Sequence, residues 1–120
     1  MTKTLYLDHD VNYKSYFSSQ KYEAFKMWFP KITNVYGPAK IQIRESPNEK
    51  VHLKLDFDVD IELFDTMIIR ALLADDAYRL IMDLKRCFTV PDETNRIFDE
   101  KWSDGQMKKA GEWKDLPVIL

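Results

Sequence analysis

Between Lys50 and Phe88 the hydrophobic period changes once, from two to about 3.6, and that change limits what the chain can fold into. In KVHLKLDFDVD, Val51, Leu53, Leu55, Phe57 and Val59 alternate with His52, Lys54, Asp56 and Asp58, the pattern of a half-buried strand. In IELFDTMIIRALLADDAYRLIMDLKRCF, Ile61, Phe64, Ile68 and Leu72 share one helical face, with Met67 and Ala71 beside them. Ala77, Leu80, Ile81, Leu84 and Phe88 continue the helical spacing. Asp75-Asp76 interrupts the apolar pattern and offers a second cap, which predicts two helices joined near Ala74–Asp76. A single helix of about 27 residues is the other reading. Asp60 is placed to cap the first helix, and Glu62 and Asp65 fall in its first turns, where exposed amides favour carboxylates.

The strand needs partners, and the sequence supplies them. Ala39–Glu45 alternates, and Ser46-Pro47-Asn48-Glu49 has turn chemistry, so residues 39–45 and 50–59 form an antiparallel hairpin. Thr4–Asp8 adds a strand with Leu5 and Leu7 inward. Residues 11–17 fit either a strand or a helix. From Ser19 the spacing of Ala24, Phe25, Trp28 and Phe29 predicts a helix capped by Ser18 or Ser19 and ended by Pro30. Thr89-Val90-Pro91-Asp92-Glu93 reads as a helix start, with Ile97, Phe98 and Trp102 following, and residues 106–114 suggest a further helical turn around Met107, Ala110 and Trp113. The expected fold is α+β: a small antiparallel sheet, hairpin 39–45/50–59 plus strand 4–8, packed on one face by helices about 19–29, 61–74, 76–88 and 91–102.

Composition narrows the function classes. A chain of 120 residues is of the size of one domain, typically about 100–150 residues. Cys87 is the only cysteine, so no internal disulfide forms and a reducing compartment is expected. Leu5-Tyr6-Leu7 is cut off by Asp8, which makes no secretory core, and Arg70 divides the longest apolar stretch far short of the ~20 residues of a membrane span. The cytoplasm is the expected location. Residues 1–40 carry six lysines against Asp8, Asp10 and Glu23, giving +3; residues 41–88 carry seven basic and ten acidic side chains, giving −3; the remaining five and seven give −2. Neither half is charged enough to name a polyanion or polycation as partner.

Four constellations carry possible chemistry. Asp56 and Asp58 share a strand face and are the candidate ligands for Mg²⁺ or Ca²⁺, but the run from Asp56 fails the calcium-loop pattern, with Ile61 at the glycine position and Met67 at the glutamate position. His9 and His52 are too few for a histidine-rich metal centre. Cys87 follows Lys85 and Arg86, which favour a thiolate, yet its place late in an amphipathic helix suits a small core residue. Isolated Gly37, Gly105 and Gly111 make no phosphate loop, and no cofactor is inferred. The densest signal is residues 12–31, where aromatics interleave with lysines. Tyr13, Lys14, Tyr16, Lys21, Tyr22 and Lys26 form the candidate binding set, either for single-stranded nucleic acid, by stacking and phosphate neutralisation, or for a protein, since surplus Tyr and Trp mark interfaces. Trp113 and Ile119 add a second apolar surplus at the tail, which is expected to dock on its own sheet or to pair with another chain.

The succession IELFDTMIIRALLADDAYRLIMDLKRC within residues 60–88 resembles a segment of small uncharacterised accessory proteins of tailed phages, a short helix ending near an Asp and running into a second helix with a Tyr and a Leu-rich face. The resemblance implies a viral accessory protein that acts in the host cytoplasm by binding, and it assigns no site residues. The leading expectation is therefore a non-enzymatic module that binds a protein partner or itself. A nucleic-acid-binding regulator is the second reading, and a metal-dependent phosphodiesterase at Asp56 and Asp58 the third.

Overall fold

The computed structural model describes residues 2–116. The elements run β1 (Thr2–His9), a 3₁₀ helix (Tyr13–Ser18), α1 (Gln20–Tyr36), β2 (Ala39–Glu45), β3 (Val51–Ile61), α2 (Leu63–Leu72) and α3 (Ala77–Arg86), then a 3₁₀ turn (Pro91–Glu93), β4 (Glu100–Ser103), β5 (Gln106–Lys109) and β6 (Lys114–Asp115). The architecture is α+β, with an antiparallel sheet ordered β1-β3-β2-β6 and a separate hairpin β4-β5. Because strand side chains alternate, the pairing Leu7–Leu53–Ile43 and Leu5–Leu55–Ile41 stacks rows of aliphatic groups on one face. Phe25, Phe29 and Ile32 of α1 close over those rows, with Ile69 and Leu73 of α2 in the same core. Each such fully buried side chain contributes about 1.5–3 kcal/mol of hydrophobic stabilisation.

Several expectations need correction. Residues 11–17 are neither a strand nor an α-helix; Tyr13–Ser18 winds as 3₁₀, because Asn12 accepts from the Lys14 amide and the Tyr13 amide is tied to the Glu49 carbonyl at 2.8 Å. Pro30 does not end α1. It sits half-buried within the helix, and Ile32 beyond it is core, so packing outweighs the one backbone bond that proline cannot donate. Gly37, at φ 100°, then ends the helix, its amide donating to the Thr33 carbonyl. Asp60 caps nothing, since β3 runs on to Ile61, which pairs with Thr2, and Glu62 precedes α2 without a side-chain cap. The helix expected over 91–102 is a single 3₁₀ turn followed by strand β4, and 106–114 holds β5 and the start of β6 instead of a helical turn. Asp104-Gly105, with φ 52° and 73°, is the positive-φ pair that a two-residue hairpin requires, a stronger signal than the helical spacing around it.

α2 and α3 form an antiparallel pair: four residues connect them, and Phe64 at the start of α2 meets Phe88, just past α3, with ring centroids 5.9 Å apart. The connection is a Schellman turn. The Asp75 amide donates to the Arg70 carbonyl at 3.0 Å and the Ala74 amide to the Ala71 carbonyl at 3.2 Å. Ala74 holds the left-handed position at φ 61°, where glycine is usual. Relieving that strain with Ala74→Gly is expected to stabilise the protein by about 0.5–1 kcal/mol in urea unfolding.

Among the described residues the outer edge of β1 has no neighbouring strand, yet side chains and one amide occupy its hydrogen-bonding groups. Asn95 accepts from the Tyr6 amide and donates to the Thr4 carbonyl, both at 2.8 Å, as a strand residue would. Asp75 accepts from the Asp8 amide at 2.8 Å, Arg79 donates to the Tyr6 carbonyl at 3.0 Å, and the Asp76 amide donates to the Asp8 carbonyl at 2.9 Å. This covering is a defence against edge-to-edge pairing. Asn95 itself sits at φ 61°, which asparagine tolerates better than alanine does. Asn95→Ala removes both bonds and adds strain, so a loss of about 2 kcal/mol and a rise in aggregation on heating are expected, read by denaturant melts and light scattering.

Candidate functional site

The site begins with an arginine in the wrong place. Arg70 interrupts the apolar run TMIIRALL, and the turn α2 makes against the sheet buries Thr66, Met67, Ile69, Arg70 and Leu73. Arg70 is fully buried, and a buried guanidinium is stable only if paired and hydrogen-bonded. Its Nε donates to Asp75 Oδ2 at 2.7 Å and its Nη1 to Asp83 Oδ2 at 2.9 Å. Asp75 is saturated: Oδ2 also accepts from Arg79 Nη1 at 2.6 Å, and Oδ1 accepts from the amides of Asp8 and Asp76. Asp83 accepts from the Asn95 amide at 3.0 Å and from Arg86 at 3.3 Å. Nη2 of Arg70 and Nη2 of Arg79 are buried without a hydrogen-bond partner among the described residues.

This network turns α3 inside out. Asp83 is its one buried residue, and the side bearing Arg79 and Asp83 faces inward. The apolar stripe therefore faces out: Ile81 is 53% exposed, Leu84 38% and, just beyond the helix, Phe88 75%. α2 buries Met67, Ile69 and Leu73 but leaves Phe64 59% and Ile68 50% exposed. The expectation that Phe64 and Ile68 lie on the inward face of α2 is thus corrected, while Leu72 is half-buried against the core; the inward role of Ile81, Leu84 and Phe88 is corrected too. On α3, burial of Asp83 leaves the apolar stripe at the surface.

On the opposite side of α3 lies a cleft of about 970 Å³. Its floor is the second face of the sheet, where Asp8 of β1, His52 of β3 and Arg44 of β2 stand in one cross-strand row. The chain from Asn95 to Asp99 crosses this face: Arg44 donates to Asp99 at 2.8 Å and, through Nε, to His52 Nδ1 at 3.0 Å. His52 Nδ1 is therefore an acceptor. Burial, with repulsion from Arg44 and Arg79, holds His52 at about 4, so the ring is neutral near neutral pH. Asp8 is pushed up to about 6, mainly by burial, against Arg79 and with help from Asp75, Asp76 and Asp10. On the core face His9 is neutral as well: its Nε2 donates to the Leu73 carbonyl and its Nδ1 accepts from the Tyr16 hydroxyl, both at 2.9 Å, and burial holds its pKa at about 4.

The residues singled out from the sequence are scattered by the fold. Tyr16 is buried against His9 and presents no free ring. Lys21 donates to the Ala74 carbonyl at 2.8 Å. Tyr22 packs on Tyr16 and Phe17, and Lys26 lies over the Tyr22 ring at 5.0 Å while pairing with Glu23. Tyr13 is half-buried and Lys14 exposed. Trp113 lies on the second face of the sheet beneath two cations, Arg44 at 4.4 Å and Lys54 at 4.7 Å, and β6 beside it pairs with β2. Ile119 is outside the described residues. Asp56 accepts from the Thr4 hydroxyl at 2.6 Å, which gives that carboxylate a local partner, and Asp58 is exposed. Among the described residues no three His, Cys, Asp or Glu side chains converge to hold a metal ion. None of the described helices is long and apolar enough to cross a membrane. Sequence reasoning missed Asp8, Arg79 and Asp83; the available signal was an arginine inside an apolar helix followed by Asp75 and Asp83.

Three titrations set a pH dependence. His9 and His52 are held below the usual histidine value of 6.5, so between about pH 6.5 and 4 the unfolded chain binds protons that the folded chain refuses. Their stabilising contribution is complete above that window and is lost as pH falls through it. Asp8 works in the opposite sense, binding a proton in the folded chain between about pH 6 and 3.8. Two protons against one leave a net loss of stability on acidification between about pH 6 and 4. Urea midpoints are expected to fall across that range, and about twice as steeply in Asp8→Asn.

Set against protein-family models, curated proteins and solved structures, the chain matches none of them.

Proposed function

We propose that this chain is a non-enzymatic binding module whose partner is a protein and whose working surface is the outward face of α2 and α3. One observation carries the reading: α3 directs its apolar stripe to solvent and its charged side inward, and α2, which buries Met67, Ile69 and Leu73, leaves Phe64 and Ile68 exposed beside that stripe. Phe64, Ile68, Ile81, Leu84 and Phe88 leave on the order of 500 Å² of apolar surface exposed, near the upper end for the largest patch on a monomer, where function is the usual reason for such a patch. Lys85 lies on the exposed side of α3, and the five apolar side chains of the patch favour an apolar, helix-bearing partner. Two antiparallel helices offering one face are half of a four-helix arrangement, which a partner's helices or a second copy would complete. The resemblance of residues 60–88 to phage accessory proteins supports the same role, an accessory factor that acts by occupying another macromolecule. Support for nucleic acid is weaker, because Tyr16 is buried and Lys21, Tyr22 and Lys26 are engaged within the fold.

Replacing Ile81 and Phe88 together by Asp leaves the buried network untouched and places two charges on the face. Wild type is expected to self-associate at high concentration in sedimentation, or to retain a defined protein in affinity capture, and the double variant to lose either by tenfold or more. A wild-type chain that stays monomeric and retains nothing beyond what the variant retains would overturn the reading.

A further inference from the structure

The cleft on the other side of α3 is independent of that apolar face and carries its own chemistry. The buried ion cluster borders this cleft: Arg79 and Arg86 stand with Asp8, Asp76 and Asp83, and the rest of the lining adds Asp10, Glu93 and Glu100 against Lys50, Arg96 and Lys101. Asp75 and Asp83 are saturated by arginines and amides, and Asp76 caps α3 by accepting from the Arg79 amide at 2.9 Å. Asp8 alone has a carboxyl group with no hydrogen-bond partner among the described residues, although its backbone is fully engaged. Asp8 forms no ion pair with any cation of the lining among the described residues, Arg79, Arg96 and Lys101 included. Lys50 is paired with Asp10 at 3.8 Å, Arg44 with Asp99, and His52 is neutral. Lining the same cleft as Asp8 are Tyr78 of α3, Phe98 of the crossing segment and Trp102 of β4, which are 76%, 74% and 65% exposed. A half-buried carboxylate without a partner and three exposed aromatic rings around one cavity suit a positive charge carried on carbon, through charge pairing and the negative ring faces.

We propose that this cleft binds an organic cation, an ammonium or guanidinium group that pairs with Asp8 while its hydrocarbon chain lies among Tyr78, Phe98 and Trp102. The volume, near the top of the range for small-ligand sites, leaves room for more than the charged group. The same chemistry is offered by a free amine and by a lysine or arginine side chain of another polypeptide.

Two probes separate the sources: agmatine, and an acetylated, amidated Gly-Arg-Gly tripeptide, each titrated into the full chain by calorimetry and tryptophan fluorescence near neutral pH. Saturable binding of agmatine supports a free cation as the ligand, and binding of the tripeptide alone supports a polypeptide side chain. In either case Asp8→Asn is expected to weaken binding at least tenfold, and Trp102→Ala, at an exposed position that no fold contact requires, severalfold. Acidification to about pH 5 is expected to weaken binding about tenfold in wild type and not in Asp8→Asn, as Asp8 takes up its proton; the other charged groups around the cleft are Asp10, Asp76, Asp83, Glu93, Glu100, Lys50, Arg79, Arg86, Arg96 and Lys101. The proposal is overturned if neither probe binds up to about 10 mM, if inorganic phosphate competes with them, or if Asp8→Asn and Trp102→Ala both bind as wild type does. Should Asp8→Asn fail to fold, Trp102→Ala and the phosphate competition still decide.

Discussion

Everything on the α2–α3 side of this protein depends on the burial of Arg70. A guanidinium without water must find acceptors, and the carboxylates that pair with it are carried by the turn after α2 and by α3. Asp75 and Asp83 therefore cannot face solvent, and α3 must lie with its charged side inward. The apolar stripe of α3 is left outside as a consequence. Replacing Arg70 with an apolar residue would leave two buried carboxylates without their cation, a change typically costing about 3–5 kcal/mol. The arrangement also carries its own cost, since Nη2 of Arg70 and Nη2 of Arg79 have no partner among the described residues. Natural chains retain such costs where the geometry serves something else.

The same network protects the sheet. Asp75 and Arg79 reach from the ion cluster to the β1 edge, and Asn95, whose amide is held by Asp83, supplies the remaining bonds. On the far edge β6 pairs with β2 through Gln42–Asp115 and Ile43–Lys114, and Leu116 turns into the core. Both edges are thus occupied by the chain's own groups. Strand addition, the obvious route by which a small sheet recruits a partner, is closed on the β1 side, which moves attention to side-chain surfaces.

α3 divides those surfaces. Its outward face is apolar and suits a protein, while its inner flank helps wall a polar cleft with aromatic rings at the mouth. The two differ in the contact they favour: the first gains by removing carbon from water, the second by pairing one desolvated charge. A single helix can serve both because its orientation is fixed by buried ion pairs, which are directional, instead of by its apolar stripe, which is not.

The amino-acid sequence by itself determined the hairpin of β2 and β3, the strand β1, the aromatic helix α1 and the division of residues 61–88 into two helices. Each rests on a local pattern: alternation over Val51–Phe57, the Ser-Pro-Asn turn, the spacing of Phe25 and Phe29, the Asp75-Asp76 break. Only the tertiary structure decided which way α2 and α3 face, where the chain after Val90 goes, and that α1 continues through Pro30. The reason is the same in each case. Helical spacing shows that a stripe exists but not whether it is buried, and the choice was made by contacts distant in sequence, Arg70 with Asp83 and Asn95 with Thr4 and Tyr6. Asp8 belongs with these: in sequence it lies near the end of a strand, and only the fold surrounds it with acids, leaves its carboxyl without a partner among the described residues and places it in one cleft with three aromatic rings.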